Sequence, residues 1–275
     1  MKLGMCHYSY HRLWAEQSWD IDRLTDEVKA LDIPGIDYHA RLLGTQEGAA
    51  ERIAAALDRT GLELSGFSLS TDFNQPPEKL EPHLEDTLKW LDVAAQLKAP
   101  ACRVFGGHAD RANPGDVEAG MEYIIGVLKR LAPEAESRGL VLALENHSGL
   151  PGTAEEQNRV IEEVGSPAVR STIDVGNYMG AGQEGADAVP IAAKYAAYVH
   201  VKDCKKTSDE LNAKGGMQYH ACTVGAGDVD IPACLKSLAA AGYDGYVAIE
   251  YEGKEDEAIG VPASTEYMKE VLAAL

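Results

Sequence analysis

A repeating alternation constrains this chain more than any other feature. Short apolar runs, each followed by an amphipathic stretch of helical length, recur from one end to the other. "KLGMCHY" opens the chain as a strand. In "DIDRLTDEVKAL", Ile21, Leu24, Val28 and Leu31 share one helical face, and Asp20 is placed to cap it. "IPGIDYH" is the second strand, and its helix is closed by Gly61. "LELSGFSLS", interrupted by Gly66, is the third, and a long polar turn, "TDFNQPPEKLEPH", separates it from its helix. "PACRVFGG", "LVLALEN", "VRSTIDVGN", "AYVHVKD" and "YDGYVAIEYEG" continue the series, with Pro133 expected to kink or restart the helix after the fourth. Alternation of this kind builds parallel crossovers. Eight units in 275 residues match a closed (β/α)8 TIM barrel. The alternative is an open doubly wound sheet, but no GxGxxG follows the first strand. With no Pro/Gly/Ser-rich linker, the expectation is an α/β barrel forming one domain over residues 1–275.

Charge and cysteine usage narrow the class. With 44 Asp+Glu against 25 Lys+Arg, the net charge of -19 repels nucleic acid and anionic membranes. "KDCKK", Lys202 to Lys206, is too short for a nucleic-acid patch, although it could hold one small anion. No stretch reads as a signal peptide or a membrane span. Five scattered cysteines suggest reduced thiols and a cytoplasmic location.

Four apolar runs end in groups that bind metals. They are Glu145 in "LALENH", Asp174 in "STIDVGN", His200 in "AYVHVKD" and Glu250 in "YVAIEYEG". In a barrel these ends meet at one rim, where active sites form. Each alone could be a structural hydrogen-bonding residue; the set, from consecutive units, points to one divalent ion. Three carboxylates and one imidazole favour Mn²⁺ first, with Mg²⁺, Co²⁺, Fe²⁺ and Zn²⁺ also suited.

"LENH", "IDVGN", "HVKD" and "GAGDVDIPACLKSLAAAGYDGYVAIEYEG" resemble the xylose-isomerase-like barrel superfamily, in particular its sugar phosphate isomerase/epimerase group. That group includes the ketose 3-epimerases and inosose-processing enzymes. The resemblance covers essentially the whole chain. It implies metal ligation by Glu145, Asp174, His200 and Glu250, with Glu145 and Glu250 also exchanging protons on opposite faces of a keto-sugar. Many relatives carry a histidine where this chain has Asn177, and the epimerases often carry an arginine shortly after the His200 position, where this chain has "HVKDCKK".

Further substrate contacts are expected from neighbouring positions. Strand alternation turns His147 with Glu145 and Lys202 with His200. Lys202 would neutralise an enolate, phosphate or carboxylate; a solvated rim lysine is the plainer reading. His147 would touch substrate or orient a ligand. His7, His11 and Trp14 follow the first strand, with Trp14 and Trp19 offering an apolar wall or plain packing. Asp72, Phe73 and Asn74 stand in a loop long enough to cover a pocket. Arg103 and His108 flank Gly106 and Gly107; a buried ion pair is the structural alternative for Arg103. "GAGD" reads as a turn with Asp228 as helix cap.

The expected chemistry is a metal-dependent isomerase or epimerase acting on a small carbohydrate, through proton abstraction beside a metal-bound carbonyl and an enediolate. A lyase using the same site on a 3-oxo-sugar or keto sugar acid, by dehydration, C-glycoside cleavage or decarboxylation, is the alternative. A non-catalytic sugar-binding barrel is the third. Homo-oligomerisation is left open.

Overall fold

The computed structural model describes residues 1–147 and 149–275. Eight parallel strands close into a barrel: β1 (Lys2–Cys6), β2 (Gly35–His39), β3 (Glu63–Ser68), β4 (Cys102–Phe105), β5 (Leu142–Glu145), β6 (Val169–Asp174), β7 (Ala196–Val201) and, after an inserted hairpin, β10 (Tyr246–Ile249). β1 lies between β2 and β10, which closes the cylinder. The barrel strands are almost wholly buried, as expected when one face packs inward and the other against helices.

The outer layer is helical. α1 (His11–Glu16) and α2 (Ile21–Ala30) follow β1; α3 (Ala40–Leu43) and α4 (Ala49–Thr60) follow β2; α5 (Pro77–Gln96), α6 (Pro114–Ser137), α7 (Ala154–Val164) and α8 (Gly185–Ala192) follow the next four strands. Asp20 caps α2 by accepting from Arg23 N, and Gly61 ends α4 in the left-handed region at φ 70°. α5 starts at Pro77, earlier than the polar stretch suggests, because proline suits the first helical turn. Nor does α6 restart at Pro133: that ring is on the exposed side, where water can serve the carbonyl that loses its donor.

The sequence reading treats residues after β7 as loop. Instead β8 (Asp203–Leu211) and β9 (Met217–Cys222) form an antiparallel hairpin off the rim. Its first strand is nearly all polar, and its second sets Met217, Tyr219 and Ala221 on one face, with Met217 and Tyr219 packed against the core. After it come α9 (Ile231–Ala240), β10 and α10 (Glu257–Ala273). The cap of α9 is Asp230, which accepts from Ala233 N, rather than Asp228. Asp228 instead accepts from Lys206 N and Lys205 Nζ, at 2.8 and 3.1 Å. Asp203 organises the "GAGD" turn by accepting from the N–H groups of Gly225, Gly227 and Val229.

Two register slips shape the barrel wall, and one lies between β6 and β7, at Ser171 and Thr172. The β2–β3 register slips between Ile36 and Asp37, leaving Ser65 as the extra residue of β3. Gly66 follows it, and a Cβ there would lie 2.6 Å from the Tyr198 ring.

Candidate metal centre

The polar ends of β5, β6, β7 and β10 converge. Glu145 and Asp174 are the last residues of β5 and β6; His200 is the penultimate residue of β7; Glu250 follows β10 and continues its ladder, its N–H donating to Val201 O at 3.0 Å. Asp174 pairs with His200 in register. One donor atom from each of Glu145, Asp174, His200 and Glu250 lies within 4.8 Å of every other, and all four side chains are buried.

Neighbouring side chains fix these groups. The Asn146 amide pairs with the Asp174 backbone, donating to its O and accepting from its N, both at 2.9 Å. Gln157 of α7 donates to Leu144 O and Thr172 O, locking β5 to β6 from behind. Asp174 Oδ1 accepts from Gly176 N and Asn177 N, which leaves Oδ2 turned toward the cluster. Arg103 Nε lies 3.0 Å from Glu145 Oε2, and Nη1 donates to Leu69 O at 3.0 Å. The Nε contact is an ion pair too far off axis to be a hydrogen bond, so Glu145 Oε2 has no hydrogen-bond donor among the described residues. On the other flank, Lys202 Nζ lies 3.0 Å from Glu250 Oε2 and 3.3 Å from Glu252 Oε1. Asn177 joins the flanks, accepting from Lys202 Nζ at 3.1 Å and donating to Glu145 Oε1 at 3.2 Å.

The donor set fits a divalent cation. Both His200 nitrogens, Asp174 Oδ2 and Glu145 Oε2 are buried without a hydrogen-bond partner among the described residues. Such orphaned atoms are costly unless a ligand satisfies them. Without an ion the cluster is charge-strained. Burial pushes the Asp174 carboxyl up to about 7, with Glu145 and Glu250 adding to the effect and Lys202 opposing it. Burial disfavours a charged His200, yet Glu250 and Glu145 overcome this and push it up to about 9. Burial likewise opposes ionisation of Glu250, but Lys202 and His200 hold it well below the ordinary carboxylate range.

A cleft of about 180 Å³ opens above Glu250, bounded by Tyr8, His39, Arg103, Phe105, His147 and Glu252, with Arg41 and Ser70 at its edge. Of the residues singled out from sequence, Arg103 and His147 line it together with Glu250, and Lys202 and Asn177 lie behind it. The His147 ring packs against Phe105 at 4.5 Å. His7 sits one layer back: it is fully buried, its Nδ1 accepts from His39 N, and its ring meets Trp14 edge-on at 4.3 Å. Trp14 and Trp19 line a different cavity, between α2 and α4, so neither walls this cleft. Asp72 is a turn residue, accepting from Asn74 N and packed beside Gly107. The "KDCKK" lysines pair with Glu250, Asp228 and Glu184. His39 is the residue missed with a readable signal: like His200, it ends an apolar strand. Tyr8, Phe105, Arg41 and Ser70 carry none.

A barrel whose rim gathers a carboxylate–imidazole cluster matches a known family model, the xylose isomerase-like TIM barrel, over residues 25–273. The chain belongs to that family. Inosose dehydratase from Clostridium perfringens is 30% identical over 146 residues, and the chain spans about half the length of that relative: 49% of this chain, 48% of the other. The same enzyme from Geobacillus thermodenitrificans is 27% identical over 224 residues, 75% and 74% of the two chains. Among solved structures, 3-keto-D-glucoside 4-epimerase YcjR from E. coli superposes with a TM-score of 0.78 at 19% identity, covering 98% of this chain and 99% of that one. A barrel of the family from Mycobacterium smegmatis in complex with magnesium gives 0.72 at 19% identity, covering 99% and 97%. At these identities the structural likeness concerns the fold. No described helix is long and apolar enough to cross a membrane, and the five cysteines are free.

Proposed function

We propose that this protein is a divalent-metal-dependent enzyme that removes the carbon-bound proton next to the carbonyl of a keto-sugar or keto-cyclitol, and that its reaction is an isomerisation or epimerisation. The observation that carries the reading is the buried set Glu145, Asp174, His200 and Glu250, whose donor atoms stand within 4.8 Å of one another, several of them without a hydrogen bond among the described residues. A divalent ion held there, Mn²⁺ before Mg²⁺, Co²⁺, Fe²⁺ or Zn²⁺, supplies the Lewis acidity that makes a C–H beside a carbonyl removable.

The chain's own residues do the rest. Glu250 borders the cleft and is the base that meets substrate. Glu145 returns a proton from the other face when the product is an epimer. Lys202, held between Glu250 and Glu252, keeps a positive charge beside the oxygen on which negative charge builds. Asn177 positions Lys202 against Glu145. Arg103, Phe105 and His147 wall the cleft and limit water.

A second reading, in which the same proton removal would be followed by loss of water from the neighbouring carbon, is favoured by two observations. The curated relatives reported above are inosose dehydratases. Glu145 is also clamped by a guanidinium that does not lose its proton, which suits a ligand better than a second proton carrier. One experiment tests both. Chelated protein, reloaded with Mn²⁺, is given a panel of keto-sugars and an inosose in deuterated water, and products are read by mass spectrometry. Uptake of one deuterium at unchanged composition supports epimerisation; loss of water supports the second reading. Glu250→Gln should slow either at least about 100-fold. Absence of both reactions with every metal, or equal rates after chelation, would overturn the proposal.

A further inference from the structure

The cleft over Glu250 is small. Its volume of about 180 Å³ falls below the roughly 300–1,000 Å³ of small-molecule sites. It does not end there. Arg41 and Ser70, at its edge, also line a second cavity of about 380 Å³, on the rim between the β2 and β3 loops. The two spaces therefore adjoin across these side chains.

Arg41 is unusual in this acidic chain. Every other arginine holds a carboxylate or a backbone carbonyl. Among the described residues, the Arg41 guanidinium has no hydrogen bond or ion pair; it lies over the Tyr8 ring, 5.6 Å from its centre. Its donors are thus available at the junction. The second cavity is walled by Gln46, Thr87, His83 and Asp86, with Gln46 Nε2 donating to Asp86 Oδ1 at 2.8 Å. A carboxylate in the wall disfavours a phosphate. Planar amide and carboxylate groups beside hydroxyls suit vicinal sugar hydroxyls, which both donate and accept.

We propose that the substrate is a two-ring glycoside: a keto-sugar ring over Glu250, joined across Arg41 and Ser70 to a second sugar ring in the cavity beside Gln46 and Asp86. This rests on the function proposed above and deepens it. Arg41 spans the linkage and donates to the oxygens around it, while the distal ring supplies binding energy that orients the reacting one.

The test compares a one-ring 3-oxo-glucose with a two-ring 3-oxo-glucosyl-glucose, by solvent-deuterium exchange or product formation, in the Mn²⁺-loaded 275-residue chain. The expected kcat/KM ratio, two-ring over one-ring, is tenfold or more. Gln46→Trp, which fills the distal cavity, and Arg41→Met, which removes the junction donors, should each pull that ratio toward one, with circular dichroism confirming that both variants fold. A wild-type ratio at or below one, or a ratio neither variant changes, would overturn the inference. If no keto-sugar reacts with any metal, the proposed chemistry fails on its own terms. The inference is then read by calorimetry with the unoxidised sugars: two-ring binding at least tenfold tighter than glucose, lost in Gln46→Trp, supports it, and equal binding overturns it.

Discussion

Replacing Arg103 with methionine tests whether the centre depends on a cation from an early strand. Arg103 is 1% exposed, stacks over Phe105 at 4.1 Å, and stands 3.0 Å from Glu145 Oε2. Methionine keeps much of the volume and removes the charge, leaving Glu145 buried beside Asp174 and Glu250, with Asn177 and His200 to offset its charge. Removing one partner of a buried ion pair typically costs about 3–5 kcal/mol. At about 2.1 cal/mol/K per residue, the 275-residue chain has an unfolding entropy near 0.6 kcal/mol/K. Arg103→Met should therefore lower the Tm of chelated protein by about 5–9 °C in differential scanning calorimetry. With Mn²⁺ present the loss should shrink, because Glu145 regains a positive partner. A drop under about 2 °C in chelated protein would show that Glu145 does not need the guanidinium. An equal drop with and without Mn²⁺ would separate Glu145 from the metal site.

Two further predictions concern the scaffold. Burial opposes ionisation of Glu156, but Arg111, bound through both Nη atoms at 2.9 Å, and the N–H groups of Gly152 and Thr153 hold its carboxyl below the ordinary range. A lowered folded-state value contributes stability above the unfolded carboxyl value of about 4.3, and that stability is lost as pH falls through the folded value. Glu156→Gln should cost about 1.5–3 kcal/mol near neutral pH, with the gap to wild type closing on acidification in urea titrations; a gap that stays constant into acid would refute the assignment. Gly66→Ala places a Cβ 2.6 Å from the Tyr198 ring and should cost about 1–3 kcal/mol, read as a lower urea midpoint at unchanged slope; an unchanged midpoint would mean the ring can move aside freely.

Much of this was legible because a barrel forces a simple code. A strand buried on both faces reads as an apolar run, so the residue that breaks it marks the rim. That is why Glu145, Asp174, His200 and Glu250 stand out singly and converge together. The rule also reaches His39, which ends β2 in the same way. It fails where side chains pair across strands. Nothing in "RVFGG" says which carboxylate Arg103 will meet, because that pairing crosses from β4 to β5 inside the barrel. It fails equally for Trp14 and Trp19, near the rim in sequence but turned outward between α2 and α4. The β8–β9 hairpin escaped because β8, "DCKKTSDEL", is nearly all polar, and the short alternation of Met217, Tyr219 and Ala221 in β9 was passed over.

The same limit explains where the chemistry is under-determined by motif. "LENH", "IDVGN" and "HVKD" specify what can hold an ion. In the reaction proposed above, what happens to a sugar would depend on how the two glutamates differ, and that difference comes from outside the motifs' ligands. Glu145 is held by Arg103, a guanidinium that stays charged and stays put. Glu250 is held by Lys202, whose flexible ammonium is shared with Glu252 and Asn177 and can turn to an incoming oxygen. Two proton carriers of matched strength would suit epimerisation in both directions; an unequal pair suits a reaction in which one carboxylate takes the proton and the other only holds the ion. In the proposed reaction the identity of the cation beside each glutamate would therefore bear on the outcome as directly as the glutamates themselves, and exchanging Lys202 for arginine should shift product distribution, read by mass spectrometry, more than it shifts metal affinity, read by calorimetry; the reverse would refute the idea.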